Sequence, residues 1–167
     1  MRSRWIIATM IGAAAAACGG DSTAPGTEIF NATLSGAAER PTPTTTPAAG
    51  TGTFTLSEDG NTLTWNVATT GANNVTASHI HIGGTEAAGP IAFGLYAAAA
   101  SSNPAISGSI TRAAFSSPLG ISFDGLLELM RRGDTYVNVH TDNGVAPANT
   151  GPGDFPGGEI RGQIRLQ

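Results

Sequence analysis

The chain contains three histidines, and two of them lie one residue apart. His79 and His81 belong to the stretch S-H-I-H-I-G-G, and His140 lies at the end of Y-V-N-V-H. Neutral imidazoles are good ligands for copper, zinc and nickel, and three of them leave one coordination position open. A second interpretation is equally simple: each histidine only hydrogen-bonds a neighbour on a half-exposed sheet face. The residue types alone leave both interpretations open.

Strand alternation gives the paired histidines a common face. Successive side chains of a β-strand point to opposite sides of the sheet. His79 and His81 therefore share one face of their strand, and Ile80 and Ile82 share the other. If the isoleucines face the core, the two imidazoles lie on the outer face of the sheet.

A later segment repeats this arrangement. Two valines occupy one face of the strand predicted at 135–141, and the other face carries Tyr136, Asn138 and His140. Neighbouring strands are about 4.8 Å apart, so His140 would reach the histidine pair if the two strands were adjacent. The sequence predicts the faces and leaves the adjacency open.

The last strand adds an acidic and a basic residue on the face opposite its isoleucines. Glu159 and Arg161 lie two residues apart and so point the same way. Glu159 is a candidate fourth metal ligand or an outer partner of a ligand. The simplest interpretation of the two is an exposed ion pair, worth less than about 1 kcal/mol.

The elements that position these residues are short strands separated by turn signals. Alternating apolar residues between Gly-, Pro- and Asn-containing turns predict an all-β protein, an antiparallel sandwich or barrel of about eight strands. The segment 122–132 departs from this pattern and predicts one short helix, capped by Ser122 and ended by Gly133. The predicted strands are Thr27–Leu34, Thr51–Ser57, Thr62–Thr69, Val75–Ile82, Ile91–Ala97, Ala105–Thr111, Thr135–Thr141 and Gly158–Leu166.

The first residues predict export from the cytoplasm. Two arginines precede an apolar run of 13 residues, Trp5–Ala17, which is too short for a membrane span of about 20 residues but typical of a secretory signal. The only cysteine, Cys18, follows directly and resembles the lipobox of bacterial lipoproteins, although Ala15 stands where that motif usually has leucine. The alternative is a plain signal peptide with an incidental cysteine.

These observations predict three regions: a lipoprotein signal peptide at 1–17, a tether at 18–26 that begins with lipidated Cys18, and a β-sandwich domain at 27–167. The expected location is extracytoplasmic, with the acyl chains anchoring the protein to the membrane of the bacterial cell envelope. After removal of 1–17, six arginines face 12 acidic residues, and lysine is absent. Such a surface argues against nucleic acid as a partner, because phosphate contacts need clustered cations.

Four blocks of the sequence resemble the CHRD domain, a family named for its repeats in the animal protein chordin. The resemblance implies a secreted or surface-displayed β-sandwich with no established enzymatic activity, so we expect a non-enzymatic binding module whose partner is an extracellular protein or glycan. The motif positions it covers include the three histidines, Glu159 and Arg161. The blocks are LSGAAERP (34–41), SHIHIGG (78–84) with GPIAFGL (89–95), YVNVHT (136–141) and PGGEIRGQ (156–163).

The histidine pair supports an alternative function, a metalloprotein that binds copper or zinc through His79, His81 and His140. The H-I-H pattern is also similar to the copper-binding pair of copper/zinc superoxide dismutases. Those enzymes need more histidines and a disulfide, and this chain has three histidines and one cysteine. Dismutase activity is therefore not expected.

Overall fold

A computed structural model describes residues 26–167, and it confirms the predicted fold class. The described residues form nine strands, one α-helix and one short 3-10 turn at Gly36–Ala38. The elements are β1 (Glu28–Ser35), β2 (Ala49–Leu56), β3 (Thr62–Thr70), β4 (Val75–Ile82), β5 (Ile91–Ser101), β6 (Ile106–Thr111), α1 (Phe123–Arg132), β7 (Thr135–Thr141), β8 (Ile160–Gln163) and β9 (Arg165–Leu166).

All strand pairs are antiparallel and belong to one sheet. Its order is β5-β4-β7-β8-β1-β2-β3-β6, and the two-residue strand β9 also pairs with β1. The sheet curves into a nearly closed barrel. Strand β8 lies between β7 and β1, so it joins the β5-β4-β7 part of the sheet to the β1-β2-β3-β6 part.

The core follows the predicted alternation. In β1 the buried residues are Phe30, Ala32 and Leu34, each separated from the next by an exposed residue. This period of two places apolar side chains inside the barrel and polar ones outside. The remaining strands contribute to the same core, which includes Phe54, Leu63, Val67, Ile80, Val137, Val139 and Ile160.

The helix predicted at 122–132 is confirmed at Phe123–Arg132. The hydroxyl of Ser122 accepts a hydrogen bond from the amide of Gly125 at 3.0 Å, and Gly133 ends the helix in the left-handed conformation at φ 71°. One face of the helix is buried against the core. None of the helices in residues 26–167 has the length and apolar character needed to cross a membrane.

Strands β4, β7 and β8 lie side by side in the sheet. The adjacency of β4 and β7, which the sequence left open, is therefore present. The outer face of these three strands is covered by three segments, residues 39–48, 83–90 and 142–158, which we call the covering loops. Glycine permits this close cover: a Cβ atom on Gly89 would lie 1.6 Å from the carbonyl oxygen of Ile82. The predicted signal peptide, Cys18 and nearly all of the tether lie outside the described residues.

Candidate metal centre

The three histidines converge on the outer face of β4 and β7. His79 lies opposite Asn138 in the strand register, and His81 lies opposite Tyr136. His140 is two residues further along β7, on the same face. One ring nitrogen from each histidine can be chosen so that all three lie within 4.8 Å of one another. The adjacency of β4 and β7, which the sequence left open, thus brings His140 to the histidine pair.

The closest contact joins His79 and His140. The Nδ1 atom of His79 lies 3.0 Å from the Nε2 atom of His140. The ring centroids are 4.8 Å apart for this pair, 5.7 Å for His79 and His81, and 5.8 Å for His81 and His140. The three rings thus surround a common space.

Backbone carbonyls of the covering loops determine the tautomer of two rings. His81 Nδ1 donates to the carbonyl oxygen of Gly89 at 2.9 Å, and His140 Nδ1 donates to that of Pro156 at 2.9 Å. Because a carbonyl oxygen only accepts, Nδ1 carries the proton in both neutral rings and Nε2 keeps its lone pair. This second hydrogen bond is the usual support of a metal-bound histidine.

His81 Nε2 is the atom that most directly indicates a missing partner. It is buried and has no hydrogen-bond partner within residues 26–167. A buried acceptor without a donor is costly, and a cation bound by the cluster would satisfy it. The donor set therefore fits a transition metal.

Burial keeps all three histidines neutral at pH 7. It lowers the pKa of His79 to about 4, with smaller contributions from the neighbouring His140 and His81. It also lowers the pKa values of His81 and His140, although their bonds to backbone carbonyls oppose this. Neutral imidazole is the form that binds metal. His79 is only partly buried, so the cluster is accessible from its side.

His81 is stacked on Tyr136, which in turn contacts Arg161. The Tyr136 ring lies parallel to the His81 ring at 5.0 Å, with 13° between the planes. The guanidinium carbon of Arg161 lies 3.4 Å from the centre of the Tyr136 ring on β7. The Tyr136 hydroxyl contacts the backbone of Gly89, whose carbonyl also holds His81. The stack thus fixes the orientation of one candidate ligand.

The predicted exposed ion pair between Glu159 and Arg161 is wrong. Both residues are buried, with exposures of 0% and 1%. Arg161 donates instead to the carbonyl oxygens of Gly84 at 2.7 Å and Ala87 at 2.8 Å. The covering loops exclude water from this face and provide backbone acceptors for the guanidinium group.

Glu159 is held by two of the covering loops. One carboxylate oxygen accepts from the Thr46 hydroxyl, and the other accepts from the amide of Gly153 at 3.1 Å. The Glu159 backbone carbonyl also accepts from Thr44 at 2.6 Å. In the described part of the chain, the side chains whose ligand atoms cluster are the three histidines, and Glu159 is not among them. Its contacts with the loops therefore favour a supporting position for Glu159 over direct ligation.

Asn138 and Glu39 form a buried polar pair beside the histidines. The amide nitrogen of Asn138 donates to Glu39 Oε2 at 3.3 Å. Burial raises the pKa of Glu39 to about 7, against the opposing effects of Arg161 and of the Asn138 hydrogen bond. Sequence reasoning did not single out Glu39. The available signal was its place in the family block at 34–41.

Comparison with protein families assigns the chain to a family. The family model of the CHRD domain matches residues 30–164, a span that contains all three histidines, Glu39 and Arg161. Neither the curated proteins nor the solved structures contain a match to this chain. The CHRD domain is not a known enzyme family, and its presence suggests a binding module. Because the match extends over most of the sequence, the chain belongs to the CHRD domain family.

Proposed function

We propose that this protein is a binding module of the cell envelope that holds one copper or zinc ion with His79, His81 and His140. The observation that carries the proposal is the convergence of three neutral imidazoles, one of which presents a buried Nε2 without a partner. Two of the rings are already oriented by backbone carbonyls. Such orientation is what a metal site needs before the ion arrives.

The separations suit a metal after a small adjustment. Zinc–nitrogen bonds are about 2.0–2.1 Å long, so two nitrogens on one ion lie at most about 4 Å apart. The ring nitrogens of the cluster lie within 4.8 Å, and closure therefore needs a shift of roughly 1 Å. His79 is the least buried of the three and so has the most freedom to move.

The ligand types favour copper and zinc over hard cations. Imidazole nitrogen suits copper, zinc and nickel, whereas calcium and magnesium prefer oxygen. A bound ion would supply a Lewis acid with one open coordination position. The chain's own residues hold the ligands neutral and oriented, and the covering loops limit the access of water.

Metal analysis tests this proposal directly. Purified protein equilibrated with Cu²⁺ or Zn²⁺ and then desalted should retain about one ion per chain, because three imidazoles form a single site. His140→Ala should abolish stoichiometric retention. The matched control is Thr64→Ala, an exposed substitution on β3. Full retention with unchanged affinity in His140→Ala would contradict histidine ligation.

Anchoring through Cys18 is the second part of the proposal. It is supported by the basic start, the 13-residue apolar run and the cysteine that follows it. Acyl chains on this residue would hold the domain at the membrane of the cell envelope through the short tether. Mass spectrometry of the mature protein should find an acylated Cys18 at its N-terminus. An unmodified Cys18, or a mature chain that begins elsewhere, would contradict this.

The binding partner is proposed to be an extracellular protein or glycan. A cavity of about 350 Å³ between two covering loops supports this, since it is large enough for a small ligand. Arg40, Thr42 and Asn149 line it and offer polar groups. Binding of soluble oligosaccharides should shift the NMR signals of these residues, whereas shifts confined to other surfaces would contradict the location.

A further inference from the structure

The buried pair of Glu39 and Asn138 makes one hydrogen bond and leaves one oxygen of each side chain without a partner. Asn138 Nδ2 donates to Glu39 Oε2 at 3.3 Å. The other two atoms, Glu39 Oε1 and Asn138 Oδ1, are both buried and have no partner within the described chain. The side chains are only 3% and 4% exposed. Two buried acceptors without a donor, one on each member of a hydrogen-bonded pair, are unfavourable.

A single proton removes both deficiencies. A protonated carboxyl has one O–H donor, so Glu39 Oε1 can donate to Asn138 Oδ1 while Asn138 Nδ2 donates back to Glu39 Oε2. The result is a cyclic pair of two hydrogen bonds. Turning the amide over offers no alternative, since it only exchanges the carboxylate oxygen that accepts from Nδ2 and still leaves one oxygen of each side chain without a donor.

The charges around Glu39 come from three elements. Arg161 on β8 is the opposing charge with the largest effect on Glu39, and it favours the carboxylate. Its guanidinium group, however, donates to the carbonyls of two residues in 83–90 and lies over Tyr136. Arg40, in the same loop as Glu39, is paired with Glu86 at 3.1 Å. Burial therefore has the larger effect on the Glu39 carboxyl, and the pKa rises to about 7.

Asn138 connects this carboxyl to the histidine cluster. It lies directly opposite His79 on β4 and directly opposite Arg161 on β8. Only one strand spacing, about 5 Å, separates its backbone from that of His79. A divalent ion held by the histidines would add two positive charges on this side, and nearby positive charge favours the ionised carboxylate.

We propose that Glu39 shares a proton with Asn138 when the histidine cluster holds no metal, and that binding of a divalent cation expels this proton to solvent. Glu39 thereby becomes a supporting residue of the metal centre that couples metal occupancy to a proton. The coupling rests on the proposed metal-binding function. The shared proton in the metal-free protein does not, so the two parts can be tested separately.

The first experiment follows the Glu39 carboxyl carbon by ¹³C NMR in metal-free protein across pH. The signal is assigned by its disappearance in Glu39→Gln, which keeps the size of the side chain and can donate to Asn138 through its amide. We expect a midpoint near 7. A midpoint near the ordinary value of 4.5 would overturn the shared proton.

The second experiment measures zinc binding by calorimetry at about pH 6.5, in buffers that differ in protonation enthalpy. The histidine pKa values are all lowered, so the ligands release few protons at this pH. We expect the wild type to release most of one proton more per bound ion than Glu39→Gln, a comparison that does not require equal metal affinity.

Equal proton release by the two proteins would overturn the coupling. No zinc binding by either protein, together with no retention of copper in the metal analysis, would contradict both the proposed function and the expulsion step. The NMR midpoint would then still decide whether Glu39 carries the proton, so the failure of one idea is distinguishable from the failure of the other.

Discussion

The two faces of the β4-β7-β8 region are both largely buried but chemically opposite. The inner face is mainly aliphatic, and Ile80, Val137 and Ile160 are fully buried in the core. The outer face is polar, and Asn138 and Arg161 are nearly as inaccessible at 4% and 1% exposure. Burial therefore does not distinguish the two faces. They differ in what satisfies the buried groups.

An aliphatic face needs only close packing, whereas a polar face needs a partner for every donor and acceptor. The outer face meets this demand at most atoms through the covering loops, but His81 Nε2, Glu39 Oε1 and Asn138 Oδ1 lack partners. Buried polar atoms without partners cost stability. Three of the seven such atoms in the described residues lie on this face, and two others are the hydroxyl of Thr135 on the inner face and a carboxylate oxygen of Asp154 in a covering loop. The three on the outer face are the ones that the proposed metal and the proposed proton would satisfy.

The largest expected effect comes from a mutation on the inner face, which should change stability but not metal binding. Ile80→Ala should lower the free energy of unfolding by about 2–5 kcal/mol, because it removes buried methyl groups and leaves a cavity. Ile80→Val, the milder control, should cost about 0.5–1.5 kcal/mol. Urea unfolding of metal-free protein measures both. Metal affinity at a temperature where the variants stay folded should change little.

That comparison fails if Ile80→Ala weakens metal binding as strongly as His140→Ala does. Such an outcome would mean that the packing of the inner face sets the ligand geometry. The functions of the two faces could then not be separated.

A medium effect is expected from a change in the covering loops. Gly158 has φ 132°, and a Cβ atom there would lie 2.6 Å from both polar atoms of the Asn138 amide. Gly158→Ala should therefore cost about 1–3 kcal/mol of unfolding free energy through backbone strain and displacement of Asn138. Thermal unfolding measures the loss.

The adjacent Gly157 provides a matched control, because a Cβ atom on it meets nothing within 4 Å. Gly157→Ala should leave stability nearly unchanged. Equal destabilisation by the two substitutions would show that the loop tolerates neither alanine for reasons unrelated to Asn138.

The smallest net effect is expected from the pH dependence of stability, because the histidines and Glu39 of the outer face act in opposite directions. The pKa values of the histidines are lower in the folded than in the unfolded protein, where they are near 6.5. The unfolded state therefore binds more protons between about pH 4 and 6.5, and stability falls as the pH falls through this window.

Glu39 acts in the opposite direction. Its folded pKa of about 7 exceeds the ordinary 4.5, so the folded state binds the extra proton and stability falls as the pH rises from about 4.5 to 7. Glu39→Gln removes this contribution. Its stability should thus rise more steeply with pH than that of the wild type, by at most about 1.4 kcal/mol per pH unit. Parallel urea-unfolding profiles of the two metal-free proteins would contradict the raised pKa.

Local patterns in the sequence predict the strands well. The alternation of Phe30, Ala32 and Leu34 is visible in the sequence and recurs as the inward face of β1. The helix is predicted for a similar reason, because Ser122 and Gly133 mark its ends. Strand order is less accessible: β7 follows β4 only after two strands and a helix, and nothing in either segment specifies its neighbour.

The outer face shows a second limit of prediction. Alternation assigns Glu159 and Arg161 to the side opposite the core, and there it predicts exposed residues. The structure buries both, because loops rich in glycine and proline fold back over that side. The positions of such loops depend on contacts between distant segments, which no local period reports. Glu39 was missed for the same reason.

The position of strand β8 has a consequence for the order in which the domain can mature. Residues 160–163 join two parts of the sheet, yet they follow every other strand except β9 in the chain. A nascent chain can form local hairpins such as β1-β2 early, but the joined sheet must wait until β8 has been synthesised. Arg161 arrives with that strand, and so does its contact with Tyr136. The Arg161–Tyr136 contact that supports His81 and the joining of the two parts of the sheet are therefore completed together. A truncated product lacking these residues would have neither.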